Sequence, residues 1–178
     1  MYTASNRGYG DNQHRALLTP KGRREVVMLG AELARRGPFD LYLTSPLPRA
    51  VQSATLVHNQ LQLKHPLELE IDPDLIEPIG EAGEATWRRV TGLLERLIAN
   101  KQERILLSTH GYICVLLTAY FRGMDWRDIR SFTNPPTGSF GWIELLDGKP
   151  VRGCRISDGH LAGLLTGSEP LRQTVNSK

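Results

Sequence analysis

Asp40-Leu41-Tyr42-Leu43-Thr44-Ser45-Pro46-Leu47-Pro48-Arg49-Ala50 reads as a buried strand that turns into a helix. Asp40 to Thr44 is a short apolar run bounded by turn formers, and Val51, Ala54, Val57 and Leu61 then share one face of a helix from about Arg49. Arg104-Ile105-Leu106-Leu107-Ser108-Thr109-His110-Gly111 repeats the pattern, and the apolar stretch from Tyr112 to Phe121 predicts an almost fully buried helix. Strands that alternate with helices in this way make an α/β domain with a mainly parallel sheet.

The flanking sequence agrees. Thr19-Pro20 opens a helix with Val26, Leu29 and Leu33 on one side, and Gly37 is expected to end it at positive φ. Leu67, Leu69 and Ile71 alternate with Glu68 and Glu70, the period of a half-exposed strand near a sheet edge. Trp87, Val90, Leu94, Leu97 and Ile98 mark a third amphipathic helix. Phe140 to Leu146 and Val151 to Ile156 flank Asp147-Gly148, a hairpin turn dipeptide. Met1 to Leu17 is polar and glycine-rich and reads as loop, so one domain over 1–166 and a flexible tail over 167–178 are expected.

With 178 residues, 40% of them hydrophobic, the chain suits a single globular domain. Its 22 basic and 19 acidic residues are interspersed, which argues against nucleic acid as a partner. Cys114 and Cys154 lie far apart and are expected to be buried thiols. No apolar run is long enough for a membrane span and no leader pattern opens the chain, so a cytoplasmic location is the default. No metal-ligand cluster or cofactor motif is visible, and homo-oligomerisation is left open.

In an open parallel sheet, ligands sit at the carboxyl ends of the strands. Three groups of residues belong there. Arg49 falls on the opening turn of a helix, where its rigid fork of donors and the free backbone amides suit an anion. The loop Ile71-Asp72-Pro73-Asp74-Leu75-Ile76-Glu77-Pro78-Ile79-Gly80-Glu81 is dense in carboxylates, one of which could act as a general acid. His110 stands at a strand-to-helix junction, with Gly111 beside it to let a ligand approach. The plainer alternatives are a solvated surface arginine, an ordinary acidic loop, and a buried hydrogen-bonded histidine; His14, His58 and His65 read as surface residues.

Taken together, Thr44 to Ala50 with Gln52-Ser53-Ala54, and Ser108-Thr109-His110-Gly111, resemble two signature blocks of the histidine phosphatase family, the phosphoglycerate mutase-like enzymes. Leu18-Thr19-Pro20-Lys21-Gly22 is similar to the step that opens the family's first helix, and Leu75-Ile76-Glu77 with Gly80 to its acid loop. Asn134 to Ser139 and Asp158-Gly159-His160-Leu161 resemble its closing segments, so the likeness runs from about Thr3 to Leu161. It implies a three-layer α/β/α fold and a phosphomonoester hydrolase of a small phosphorylated metabolite. By the same resemblance Arg49 is a phosphate-clamping arginine, His110 the second, non-nucleophilic histidine, Glu77 the proton donor to the leaving group, and Asn6 and Gly111 line the pocket. The short segments between Leu61 and Trp87 suggest a small phosphatase rather than a larger mutase.

One part of the family pattern has no counterpart here. The family opens with an apolar strand ending in arginine-histidine-glycine, and Thr3-Ala4-Ser5-Asn6 matches the stretch just after it, which would set the nucleophilic histidine upstream of Met1. Arg7 and His14 have the right side chains but follow no apolar strand. Three readings are therefore open, in this order: a phosphatase with a truncated start, a pseudoenzyme that binds a phosphorylated ligand, and an acid/base enzyme of another kind using His110 and Glu77.

Overall fold

The computed structural model describes residues 12–62, 66–100 and 102–153, with the backbone alone for 151–153. Three short parallel strands form its centre: β1 (Leu41–Thr44) lies between β2 (Leu69–Ile71) and β3 (Ile105–Ser108). Tyr42 pairs with Leu69 and Leu106, and Thr44 with Ile71 and Ser108, so all three strands finish level at their carboxyl ends.

Alternation along β1 generates the layers, because successive strand side chains point to opposite faces. Tyr42 packs with Val26, Leu33, Ala54, Val57 and Leu61, whereas Leu43 packs with Leu75 and Leu93. Leu106 and Leu107 divide in the same way on β3. Helices α1 (Pro20–Arg36) and α2 (Pro48–Leu61) therefore cover one face of the sheet and α3 (Gly83–Ile98) the other. The last long helix, α4 (Gly111–Phe121), joins α3 through Val90, Ile113 and Leu116. The result is the expected three-layer α/β/α arrangement.

Local chemistry accounts for most element ends. Thr19 caps α1 by accepting the Gly22 N–H at 3.0 Å, and Pro20 supplies the first helical residue. At the other end the expectation of a positive φ fails: Gly37 is extended, with φ −61° and ψ −176°. Pro38 follows it, and proline drives the preceding residue out of the helical region. The Gly37 N–H still reaches the Leu33 carbonyl at 3.0 Å. Beyond the sheet, β4 (Ile143–Leu146) and β5 (Lys149–Gly153) form an antiparallel hairpin. Its turn residues Asp147 and Gly148 have φ of 51° and 73°, the left-handed pair that this dipeptide tolerates.

Burial departs from the sequence expectation in two places. β3 is half-buried along its length rather than fully buried, since among the described residues β1 is its only partner strand. Cys114 is likewise half-buried, because it borders a hollow of about 250 Å³ together with Thr118, Arg122 and Phe132. Ile71 is 59% exposed, in keeping with β2 at the sheet edge. Cys154, the strand residues expected from 154 to 156 and the tail over 167–178 lie outside the described residues.

The α1–α2 contact depends on one missing side chain. A Cβ at Gly30 would stand 2.9 Å from Gln60 Cγ and 3.2 Å from the Val57 Cα, so the two helices touch almost backbone to backbone there. A Gly→Ala change in an exposed helix interior is stabilising by about 1 kcal/mol. At Gly30 the sign should reverse: Gly30→Ala is expected to lower stability, and Gly30→Val to cost roughly 1–3 kcal/mol through overpacking. Urea unfolding of the two variants checks this, and an Ala variant more stable than the parent would show that the helices are free to move apart.

Candidate functional site

The level carboxyl ends of β1 and β3 bring two of the sequence candidates together. The pairing continues one residue beyond Thr44, where the Ser45 N–H donates to the Ser108 carbonyl at 2.9 Å. Ser45 and His110 thereby become neighbours, and Ser45 Oγ and His110 Nε2 share a hydrogen bond of 2.7 Å. Both are buried, Ser45 completely and His110 to within 8% exposure. The Ser45 hydroxyl oxygen also accepts the Leu47 N–H at 3.3 Å, which fixes its place in the turn.

Arg49, the second residue of α2, is only 2% exposed. The alternative of a solvated surface arginine is therefore excluded. Its Nη1 donates to the Gln13 carbonyl at 2.6 Å, so the segment before α1 runs across the site. Leu18 holds the same segment to α2 by donating its N–H to Gln52 Oε1 at 2.9 Å. His14, one residue from Gln13, is exposed on a turn. Asn6 lies outside the described residues.

The carboxylates of the acidic loop separate cleanly. Asp72 and Asp74 pair with Arg96 at 3.3 and 2.9 Å, and Glu81 pairs with Arg89 at 2.6 Å. Glu77 has no such ion pair among the described residues, and its Oε2 is buried with no hydrogen-bond partner among them. Burial pushes its pKa up, against the opposing charges of Arg49 and Arg89 and the Tyr112 backbone N–H. A buried orphan carboxyl oxygen is costly and belongs where a proton or ligand completes it.

His110 is perturbed the other way. Burial, followed by the charge of Arg49, pushes its pKa down to about 3, so the imidazole is uncharged at neutral pH. Arg49 thus acts on both Glu77 and His110, which places all three groups in one electrostatic neighbourhood. Gly111 makes room of a specific kind: a Cβ there would lie 3.2–3.4 Å from the Asn134 side chain, so the glycine admits Asn134 beside the start of α4. Among the described residues no three His, Cys, Asp or Glu side chains stand together as a metal site.

Three contributors went unassigned in the sequence. Ser45 and Thr109 sit inside the motif blocks without an evident task, and only the register of the strands shows their partners. Thr109 donates its hydroxyl to the Leu75 carbonyl at 2.8 Å, tying the end of β3 to the acidic loop. Arg89 follows another arginine and looks like half of a solvated pair. A signal was available: Thr86, Arg89, Val90 and Leu93 fall at helical spacing, which sets Arg89 on the buried stripe of α3.

An α/β/α domain with a buried arginine, a buried histidine and a protonatable glutamate at the carboxyl end of its sheet defines a phosphoglycerate mutase-like protein. The comparisons agree. The sequence profile of the Histidine phosphatase superfamily (branch 1) matches residues 3–79 and 76–152, and the chain belongs to that superfamily. No curated protein matches it by sequence. Among solved structures it is similar to the alpha-ribazole phosphatase from Shigella flexneri, with 22% identity, a TM-score of 0.68, and 83% of this chain and 88% of that one covered. It is also similar to an Escherichia coli protein provisionally assigned as an alpha-ribazole-5'-P phosphatase, at 23% identity and TM-score 0.68, covering 81% and 85% of the two chains. A mycobacterial glucosyl-3-phosphoglycerate phosphatase, solved with VO3, has 17% identity and a TM-score of 0.67, covering 81% and 88%. At these identities the likeness speaks for the fold.

The depressed pKa of His110 makes stability pH-dependent in a known direction. Between pH 6.5 and about 3 the unfolded chain binds a proton on His110 that the folded chain refuses, so stability falls as pH falls. At pH 4 this single group should cost about 3 kcal/mol. His110→Gln is expected to flatten the decline of stability below pH 6.5 relative to the parent, read from urea unfolding between pH 4 and 8. Parallel pH profiles for the two proteins would mean that the imidazole is not desolvated.

Proposed function

We propose that the site binds the phosphoryl group of a small phosphorylated metabolite, with Arg49 and His110 holding its oxygens and Glu77 protonating the leaving oxygen. The observation that carries this is the burial of Arg49 and His110 where the strands of a parallel sheet end, with the half-buried Glu77 keeping its Oε2 out of solvent in their electrostatic neighbourhood. A buried guanidinium offers a fixed fork of donors that phosphate oxygens fit. Phosphoryl transfer asks mainly for in-line positioning and for donors to the equatorial oxygens. A glutamate whose pKa is raised by burial keeps its proton nearer neutrality and is suited to donate it. The similar solved structures lend support, since those named above are designated an alpha-ribazole phosphatase and a glucosyl-3-phosphoglycerate phosphatase.

Hydrolysis by the family route needs a histidine in line with the leaving oxygen, and among the described residues none is placed for it. His110 has its Nε2 engaged by Ser45, and His14 is exposed on a turn. That observation favours, as the second reading, a protein that binds a phosphorylated ligand without turning it over. The two readings share the anion site and differ only in turnover.

The shared part is tested first. Orthovanadate or phosphate is expected to bind with an affinity that falls as salt and pH rise, and binding should be accompanied by proton uptake as the anion draws a proton onto His110. Calorimetry in buffers of different ionisation enthalpy measures that uptake. Arg49→Ala combined with His110→Ala should abolish both binding and uptake; retention of parental affinity would exclude the site.

The turnover part needs a different variant. The 178-residue chain should hydrolyse an aryl phosphate slowly, if at all. Fusing about ten residues before Met1, an apolar strand ending in arginine-histidine-glycine-glutamate, is expected to raise the melting temperature and to create activity that requires Arg49, Glu77 and His110. A fused chain that melts no higher and stays inactive selects the ligand-binding reading. Robust turnover by the unfused chain, with a phosphohistidine trapped at His14 or His110, would overturn the assignment of roles.

A further inference from the structure

We propose that Arg89 is a positioning residue, which holds the loop around Glu77 so that the Glu77 carboxyl stays turned into the Arg49–His110 site. The proposal rests on the reading of Glu77 as the acid and adds the device that keeps it there.

Arg89 lies on α3 with its side chain 16% exposed, and its guanidinium is spent entirely on the acidic loop. Nη1 donates to the Asp74 carbonyl and Nη2 to the Ile76 carbonyl at 3.2 Å. Nη2 and Nε also donate to the two carboxylate oxygens of Glu81, at 2.6 and 3.3 Å. These partners bracket Glu77, with two on its amino side and one beyond it. The intervening carbonyl, that of Leu75, accepts the Thr109 hydroxyl at 2.8 Å, and the Leu75 side chain is completely buried. Three successive carbonyls before Glu77 are therefore anchored, two by one guanidinium. Gly80, with φ of +72°, turns the chain so that Glu81 comes back to the same arginine.

The geometry requires a planar fork of several donors. A lysine ammonium is a point charge and cannot bridge two carbonyls and a carboxylate at once. The neighbouring arginines differ from Arg89 in kind. Arg88 is 77% exposed and pairs with Glu84 on its own helix, while Arg96 is 58% exposed and holds Asp72 and Asp74 at the far end of the loop. Neither spans Glu77, so Arg88→Gln serves as the control.

A double-mutant cycle on orthovanadate affinity at pH 8 tests the proposal. In the parent, Glu77→Gln removes a carboxylate beside the bound anion and should tighten binding severalfold. In Arg89→Gln and Arg89→Lys backgrounds that gain should vanish, because the carboxyl no longer sits beside the anion. The Arg88→Gln background should keep it. Faster hydrogen exchange of the amides from Leu75 to Glu81 in the Arg89 variants should accompany the loss. If Arg89→Gln fails to fold, Arg89→Lys retains the charge and the stem and reads the same cycle. A Glu77→Gln gain of equal size in the Arg89 backgrounds overturns the positioning role and leaves Arg89 as a stabilising residue only. No gain in the parent itself overturns the assignment of Glu77, and the purpose of the clamp with it.

Discussion

The parallel register of β1 and β3 is the constraint on which the site depends. Because Thr44 stands opposite Ser108, the hydrogen-bonding pattern extends to Ser45 and delivers its hydroxyl to His110 Nε2 at 2.7 Å. A shift of one residue in that register would exchange the faces of every side chain on β3. It would also carry His110 away from Ser45 and move the start of α4 relative to α2. Thr109, between strand and histidine, would then lose the Leu75 carbonyl and the acidic loop its contact with the sheet. Apolar packing enforces the register, since Leu106 must remain with Tyr42 and the α1–α2 layer while Leu107 remains with Leu43 and Leu93.

From that register follows the electrostatic character of the site. Both α2 and α4 begin just past the strand ends, and the amino ends of helices carry partial positive charge. The buried Arg49 adds a full charge that water can do little to screen. Burial is the main reason that His110 is neutral, and the field that would draw an anion adds to it by opposing a proton there. Glu77 feels the opposite pull from Arg49 and Arg89, but burial prevails and its pKa is raised. The two titratable groups are thus set apart by one environment: a histidine without its proton beside a glutamate inclined to keep one.

Much of this was legible in the sequence, and the reasons are local. Apolar runs of four or five residues between turn formers announced β1 and β3, and the junctions after them pointed to Arg49 and His110 before any partner was known. Thr19-Pro20 and Asp147-Gly148 announced a helix start and a turn through short-range sterics alone. What escaped depended on distant partners. The family resemblance singled out Glu77, but the residues alone do not separate it from Asp72, Asp74 and Glu81; the physical difference arises because Arg89 and Arg96, on another helix, neutralise the other three. Gly37 misled for a nearer reason, since the proline after it outweighed the usual preference of a helix-ending glycine.

The division of labour among the arginines shows how the fold separates holding from binding. Arg96 and Arg88 are largely exposed, and pairs of that kind contribute little, about 0–1 kcal/mol. Arg89 is mostly buried and committed to backbone carbonyls, so its loss would leave part-buried acceptors without it, a penalty of at most about 1–3 kcal/mol for each group. Arg49 is the most buried of these four, and a charge so deeply placed is costly unless something repays it. The Gln13 carbonyl supplies one acceptor, on a segment that crosses the site from outside the sheet. A dianionic phosphoryl group beside the guanidinium would offset the cost of that buried charge and would at the same time favour a proton on His110. Anion and proton binding would then be coupled, because burial and the charge of Arg49 together keep the proton off His110 until a negative charge offsets them.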